Sequence, residues 1–327
     1  MNSSLMWNIR SVNTQQAFER VVLMHRQKNF NFIALMEPFQ HHRHIDMYRL
    51  WLGMGTAWHN ITGKIWVFVN EEFQAEVTKD NEQLLALKLT HLDSNQEIIV
   101  TSIYASTERA NRITLWDELY DMAYTINSPW IIGGDFNVIL DEAEKYGGLP
   151  VNFPEVEDFA HCLNICQVAD LGFYGSIYTW WNGRSDEACI FKRLDRCLGN
   201  QAFQDTFPNF EVEHLIKQGS DHSPLLLTFK ADTRVIKKPF RFLNFWIEQE
   251  SFLETVKVNW EEQYCYDPFF NFHNKMKKVS RALTKWSKET FGDIFKQVAT
   301  LEEIVKVHEA VFEENPSQEN RTRLQNV

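Results

Sequence analysis

The chain has 327 residues, 44% of them hydrophobic and 24% charged, and a formal net charge of −11. This is the composition of an ordinary globular protein, long enough for one large domain plus an extension, and it excludes a low-complexity or fibrous chain. The acidic excess lies entirely in residues 1–230, with 29 Asp and Glu against 18 Lys and Arg, while residues 231–327 carry 15 of each.

Along residues 1–230 the apolar runs read as strands at 5–9, 32–37, 64–70, 84–91, 97–105, 130–136, 176–181, 192–198, 211–217 and 224–230. Most are short, rich in Ile, Val, Leu and aromatics, and bounded by Gly, Asn, Asp or Pro. Three helices fall between them by apolar spacing. One follows Asn13 as N-cap, with Ala17, Val21 and Met24 in one stripe; another carries Leu115, Leu119, Met122 and Ile126; the third carries Val156, Phe159, Ala160 and Leu163. So many strands with so few helices do not fit a regular βαβ repeat. Two sheets packed face to face with helices outside fit better. Ala231–Pro239 is polar and basic and reads as a linker. Beyond it Phe272, Met276, Val279, Leu283 and Trp286, then Ile294, Val298, Leu301 and Val305, give a helical extension broken near Gly292. The tail from Asn315 is polar and reads as frayed.

The opening residues lack the continuous apolar stretch of a secretory signal, and no apolar run approaches the roughly 20 residues of a membrane span. The expected setting is intracellular, nuclear or cytoplasmic, without membrane contact. The five cysteines contain no C-x-x-C pair, and the spacing of Cys162 and Cys166 suits one packed helix face better than zinc.

Polar residues cluster at the ends of the expected strands: Asn8 (W-N-I-R), Glu37 (L-M-E-P), Tyr104, Asp135 and Asn137 (G-G-D-F-N), Arg193 and Asp195 (K-R-L-D-R), and Asp221 and His222 (S-D-H-S-P). Taken singly, each has a bland reading. Asn8 suits a strand-end turn, G-G-D-F-N a tight turn, Asp195 a surface ion pair with its arginine neighbours, and S-D-H-S-P a capped loop. Together they match the needs of phosphodiester hydrolysis: a divalent cation on the phosphate, a positioned water, and donors to the developing charge. Mg²⁺ takes hard oxygen ligands, which Glu37, Asn8 and Asp221 supply. Asp135 remains to orient the water, and Asp195 with His222 forms an acid–base dyad.

These residues occur in the order and spacing of the endonuclease/exonuclease/phosphatase superfamily. The chain further resembles the endonuclease domain of plant LINE-type (non-LTR) retrotransposons. It shares their W-N-x-R opening, the E-x-x-x-G-G from Glu144 to Gly148, the block from Cys166 to Asn182, R-L-D-R, and the F-R-F-x-x-F-W from Phe240 to Trp246. The resemblance implies an α/β four-layer sandwich of two mixed β-sheets over residues 1–230, followed by a helical connector remnant over 231–327. It implies Mg²⁺, with Mn²⁺ as an alternative, held by Glu37 and Asn8 with Asp221 nearby. Asp135, Asn137, His222, Asp195 and Tyr104 would be catalytic, and Thr179, Trp180 and Arg193 would contact substrate.

The implied activity is metal-dependent DNA nicking. A protein that holds nucleic acid tightly is usually basic, so the acidic domain points to transient, metal-assisted contact with DNA. The helical tail offers a surface for a protein partner. There are departures from the family pattern. Ser11 stands where a Gly is usual, at a cost of roughly 1 kcal/mol if that position needs positive φ, and M-E-P-F replaces Q-E-T-K. The chain has no D-D pair and no zinc knuckle, and reads as a truncated element copy. A catalytically idle remnant, or a phosphatase or phospholipase on the same fold, are the competing expectations.

Overall fold

The computed structural model describes residues 3–229, 240, 242, 244–261, 268–292 and 294–327. The chain divides into two compact units, Met1–Asp232 with His308–Asn326, and Thr233–Val307 with Val327. The expected boundary at residue 230 and the expected linker Ala231–Pro239 lie outside the described residues.

The first unit opens with β1 (Ser3–Asn8), α1 (Gln15–Lys28), β2 (Phe32–Met36), α2 (Ile45–Leu52), β3 (Thr56–His59), β4 (Ile65–Val69), β5 (Phe73–Asp80), β6 (Leu84–His91) and β7 (Glu97–Tyr104). There follow α3 (Arg109–Thr125), β8 (Trp130–Asp135), β9 (Lys145–Tyr146), α4 (Phe153–Cys166), β10 (Val168–Asp170), β11 (Tyr174–Gly175) and β12 (Trp180–Trp181). Then come β13 (Phe191–Lys192), β14 (Asp195–Asn200), α5 (Gln201–Thr206), β15 (Phe210–His214) and β16 (Leu225–Phe229). Four further helices are α6 (Glu250–Trp260), α7 (Pro268–Phe291), α8 (Ile294–Glu314) and α9 (Gln318–Gln325).

A seven-stranded sheet runs β11-β15-β16-β1-β2-β4-β3, and a six-stranded sheet runs β10-β14-β8-β7-β6-β5. Both are mixed: β1/β2 and β7/β8 are parallel, while β1/β16 and β8/β14 are antiparallel. Their inner faces meet in one core, where Met6, Phe32 and Ala34 of the first sheet join Leu87, Val100 and Ile131 of the second. The outer face of the first sheet packs Trp7, Ile33 and Leu35 against Ala17 and Val21 of α1 and Tyr48 of α2. The outer face of the second packs Ile103 and Ile132 against Leu115 and Leu119 of α3 and Phe159 of α4. This is the expected four-layer sandwich. Central strands are covered on both faces, which is why their sequences (FIALM, IWVFV) are continuously apolar rather than alternating. No helix among the described residues is long and apolar enough to cross a membrane.

Several elements differ from the expectation. Edge strands β3 (TAWH) and β5 (FQAEVTKD) were unread, because an edge strand with an exposed face need not be apolar. The 176–181 strand shrinks to Trp180–Trp181, since the Ser176 hydroxyl binds Tyr178 N and O and turns the chain. Thr14, not Asn13, occupies the cap of α1, and its hydroxyl donates to Ser11 O instead of capping. The helical break at Gly292 is present, with φ of 71°. The tail beyond Asn315 is not frayed. Asp186 N donates to Pro316 O at 2.6 Å, Gln318 N donates to Asp186 Oδ1 at 3.1 Å, and Arg321 sits 5.4 Å from the Trp181 ring. Ahead of it, Phe312 is 2% exposed against Phe191 and Trp181. Lys217 binds Glu309 through its backbone N at 2.8 Å and Glu313 through Nζ at 2.9 Å. The second unit has its own core of Trp246, Phe252, Leu283 and Trp286, so the F-R-F-x-x-F-W block is packing material there.

A buried ion-pair network crosses the six-stranded sheet edge. Arg193 reaches Glu144 at 3.0 Å and Asp170 at 2.8 Å; Arg196 reaches Asp170 at 2.8 Å and also Glu144. Glu144 Oε2 additionally accepts the Leu140 backbone N–H at 2.7 Å, tying the loop after β8 to β14.

Two stability measurements follow. Phe312→Ala should destabilise the full chain by about 3–5 kcal/mol, the usual cost of emptying a buried aromatic site. Urea unfolding should show this, and a loss under about 1 kcal/mol would mean that the tail packs without contributing. Burial pushes the Asp170 carboxyl up, but the two guanidiniums outweigh it and hold it below its usual 3.8. A depressed carboxyl stabilises above the unfolded pKa, and that contribution is lost as pH falls through the folded value. Asp170→Asn should therefore cost about 3–5 kcal/mol at neutral pH, with the gap to wild type narrowing below 3.8. A gap independent of pH would contradict the assignment.

Candidate active site

Sheet register brings the expected residues together. β1 and β2 run parallel with Asn8 opposite Met36, so Asn8 and Glu37, one residue beyond, leave adjacent strands at the same end. In the facing sheet, Tyr104 pairs with Asp135 across β7/β8, and Asp135 pairs with Asp195 across β8/β14. At this end β1 and β8, from the two sheets, are joined by a buried hydrogen bond from Asn8 Nδ2 to Asp135 Oδ2 at 3.0 Å. The G-G-D-F-N segment makes the approach of strands possible. A Cβ on Gly134 would lie 2.2 Å from Ile103 O, and one on Gly133 would lie 2.2 Å from Met6 Sδ. Asn137 adopts φ of 50°, donating its side-chain N–H to Ala105 O at 2.7 Å and its backbone N–H to Asp135 Oδ1 at 2.9 Å.

His222 precedes β16, which is antiparallel to β1, and so arrives at the same end. Trp7 Nε1 donates to His222 O at 2.9 Å, and the Ser220 hydroxyl donates to Asn8 O at 2.8 Å. The imidazole Nδ1 lies 2.9 Å from Asp195 Oδ2, and Nε2 lies 3.9 Å from Asp135 Oδ2. All three side chains are buried. Burial alone would push the imidazole down, but Asp195 and Asp135 outweigh it and hold His222 above the ordinary 6.5. Burial, together with Asp195, pushes Asp135 above the ordinary carboxylate range. A protonated donor thus faces a carboxyl of raised basicity.

On the other side, Tyr104 donates its hydroxyl to Glu37 Oε1, and Arg10 Nη1 meets Glu37 Oε2 at 3.1 Å. Burial and the bond to Glu37 raise the Tyr104 pKa, so the phenol stays a donor. Asp221 takes Arg10 Nε at 3.2 Å on Oδ1 and Trp180 Nε1 at 3.0 Å on Oδ2. Arg10, at φ 57°, holds the positive-φ position that the sequence assigned to Ser11.

Two expected substrate contacts lie elsewhere. Thr179 is fully buried, and its hydroxyl accepts the backbone N–H groups of Leu194 at 2.9 Å and Asp195 at 3.0 Å. It fixes Asp195 from behind and has no exposed surface for substrate. Arg193 is corrected likewise: it is 6% exposed, committed to Glu144 and Asp170, and stacked 4.3 Å over Phe173. In the R-L-D-R strand, Asp195 and Arg196 are adjacent and so point to opposite faces. The residue that sequence reasoning missed is Arg10, which was visible only as the last letter of W-N-I-R. Lys192 was also unassigned. It stands 5.9 Å from the Trp180 ring and lines a cavity of about 260 Å³ with Asn137 and Leu194.

The donor set fits a hard divalent cation. Asn8 Oδ1 is buried and receives no hydrogen bond, as does Asp195 Oδ1. An unpartnered buried carbonyl oxygen beside two carboxylates is the chemistry such an ion takes. The ligand atoms of Asp135, Asp195 and His222 also lie within 4.8 Å of one another, close enough to share an ion. However, the imidazole is already committed through Nδ1 to Asp195 at 2.9 Å, which ties up two of these three side chains with each other.

No curated protein sequence matches the chain. Among solved structures, it is similar to the endonuclease domain of TRAS1, a telomere-specific non-LTR retrotransposon, at 13% identity and a TM-score of 0.54, covering 71% of this chain and 100% of that one. It is also similar to the AP endonuclease LMAP from Leishmania major, at 13% identity and a TM-score of 0.55 over 70% and 88% of the two chains. A 3′ phosphatase from Neisseria, bound to a product DNA hairpin, matches at 15% identity and a TM-score of 0.51 over 71% and 100%. At such identities these likenesses establish the fold. The sequence profile of the Endonuclease/Exonuclease/phosphatase family matches residues 6–222, and the chain belongs to that family.

Proposed function

We propose that the protein is a divalent-metal-dependent phosphodiesterase that nicks DNA, of the kind found in non-LTR retrotransposons. The observation that carries the reading is the facing pair of His222, backed by Asp195, and Asp135, backed by Asn8 and Asn137. The likeness to a retrotransposon endonuclease domain and to a phosphatase bound to a DNA hairpin supports DNA as the substrate.

Held by Glu37, Asn8 Oδ1 and Asp221, Mg²⁺ or Mn²⁺ would neutralise charge on the phosphate and its leaving oxygen. His222 is fixed through Nδ1, so its Nε2 donates to a non-bridging phosphate oxygen as charge builds there. Asp135 Oδ2 lies 3.9 Å from that nitrogen, too far for a direct bond, and would accept the proton of the attacking water. Asn137 holds Asp135 in place through its backbone N–H, and Tyr104 holds Glu37 through its hydroxyl. The net negative charge of the first unit limits affinity for nucleic acid without a bridging cation, so contact with DNA is brief. The helical tail remains a candidate surface for a protein partner.

The test is relaxation of supercoiled plasmid by the full chain. Nicking is expected with Mg²⁺ or Mn²⁺ and none with EDTA. Glu37→Gln should abolish it while the melting temperature stays within a few degrees. Glu37→Gln cleaving like wild type would remove the metal assignment. Turnover of an inositol phosphate without nicking would favour the phosphatase reading, and no turnover of either would favour an idle remnant.

A further inference from the structure

We propose that Arg10 is a built-in counter-cation of the carboxylate site, occupying it without metal and yielding it when a divalent ion binds. The inference rests on the metal site proposed above and concerns how that site is filled.

The guanidinium bridges the two carboxylates, with Nη1 3.1 Å from Glu37 Oε2 and Nε 3.2 Å from Asp221 Oδ1. The remaining oxygens are held by neutral donors, Glu37 Oε1 by the Tyr104 hydroxyl and Asp221 Oδ2 by Trp180 Nε1. Each carboxylate is therefore fixed through one oxygen, and Arg10 takes the other. When Arg10 leaves, both oxygens that it bridged lose their cation, and Asn8, whose Oδ1 is buried and unpartnered, ends the strand beside that of Glu37.

Exposure shows which partner can move. The Arg10 side chain is 50% exposed, against 10% for Glu37 and 26% for Asp221. Rotating a half-solvated guanidinium into water costs little, whereas moving the carboxylates would break buried contacts. The backbone at this point is fixed: Arg10 sits at φ 57° between the Ile9 N to Met36 O and Val12 N to Pro38 O bonds. A non-glycine residue is disfavoured in this region, so the turn holds the arginine beside the acids against a local preference. Without a cation, two carboxylates close enough to share one guanidinium would repel. A single positive charge relieves that repulsion, and a divalent ion with hard oxygen ligands relieves it more fully. Arg10 thus keeps the metal-free site ordered and lowers its affinity for the ion.

Isothermal titration of Mn²⁺ into the EDTA-stripped full chain separates the claims. Arg10→Gln should bind roughly 3- to 10-fold more tightly than wild type, the range expected for losing a partly exposed competing ion pair. Its melting temperature should fall without metal and approach wild type with it. Equal or weaker binding by Arg10→Gln, with Glu37→Gln having lost binding, overturns the role given to Arg10 and leaves the metal site standing. Glu37→Gln binding like wild type overturns the metal site and this inference with it. If Arg10→Gln does not fold, Arg10→Lys, which keeps the charge but loses the fork, carries the same test: tighter binding supports the role, and equal or weaker binding overturns it.

Discussion

The buried hydrogen bond from Asn8 to Asp135 links β1 directly to β8 at the end where the polar residues gather, and the site depends on it, with the Tyr104 to Glu37 and His222 to Asp195 bonds beside it. Face-to-face sheets are held by apolar contact, which fixes their spacing but little of their relative register. A charge-assisted hydrogen bond in a buried setting is directional and worth about 1.5–3 kcal/mol. Here it sets the end of β1 against the end of β8. The same asparagine has one donor group committed and its carbonyl oxygen left over, so the residue that aligns the sheets also offers a ligand. Within the second sheet, hydrogen-bonded register does the remaining work, placing Tyr104, Asp135 and Asp195 side by side on three neighbouring strands.

Support for this cluster comes from behind. Asp195 is positioned by the Thr179 hydroxyl through two backbone N–H groups, and its strand is locked at the neighbouring arginines by Glu144 and Asp170. Such a network is costly to desolvate, and breaking it leaves a buried charge unpaired, so it specifies one position for β14. Trp181 extends the support: its backbone N–H donates to Asp221 O, and its ring contacts Phe312 near the end of α8. The end of α8 is therefore part of the wall behind the site, although Phe312 lies 90 residues beyond His222 in sequence.

The sandwich was legible because central strands are apolar on both faces and stand out against polar loops. Edge strands β3 and β5 were not, since one exposed face dilutes the pattern. Asp135, Asn137, Asp195 and His222 were legible because strand ends converge in this architecture, and each sits at one. Thr179 and Arg193 misled because a motif records that residues go together without saying which way they point. Alternation along β14 sends Asp195 inward and Arg196 outward, while Arg193 lies ahead of that strand and its partners, Glu144 and Asp170, lie outside the motif. Arg10 was invisible as chemistry because its two acidic partners are brought to it only by the fold. The tail was misread from its polarity, since α9 is held by hydrogen bonds to Ser185 and Asp186 and not by an apolar stripe.

The central claim is that Asp195 and His222 act as one unit opposite Asp135, and a double-mutant cycle on nicking rate tests it most directly. His222→Ala should lower the rate by about 10²–10⁴-fold, the range for one acid–base group. Asp195→Asn should lower it as well, and combining the two should cost little beyond His222→Ala alone, because residues that act as a unit lose their effect together. Near-normal nicking by Asp195→Asn, or losses that multiply in the double mutant, would contradict the account.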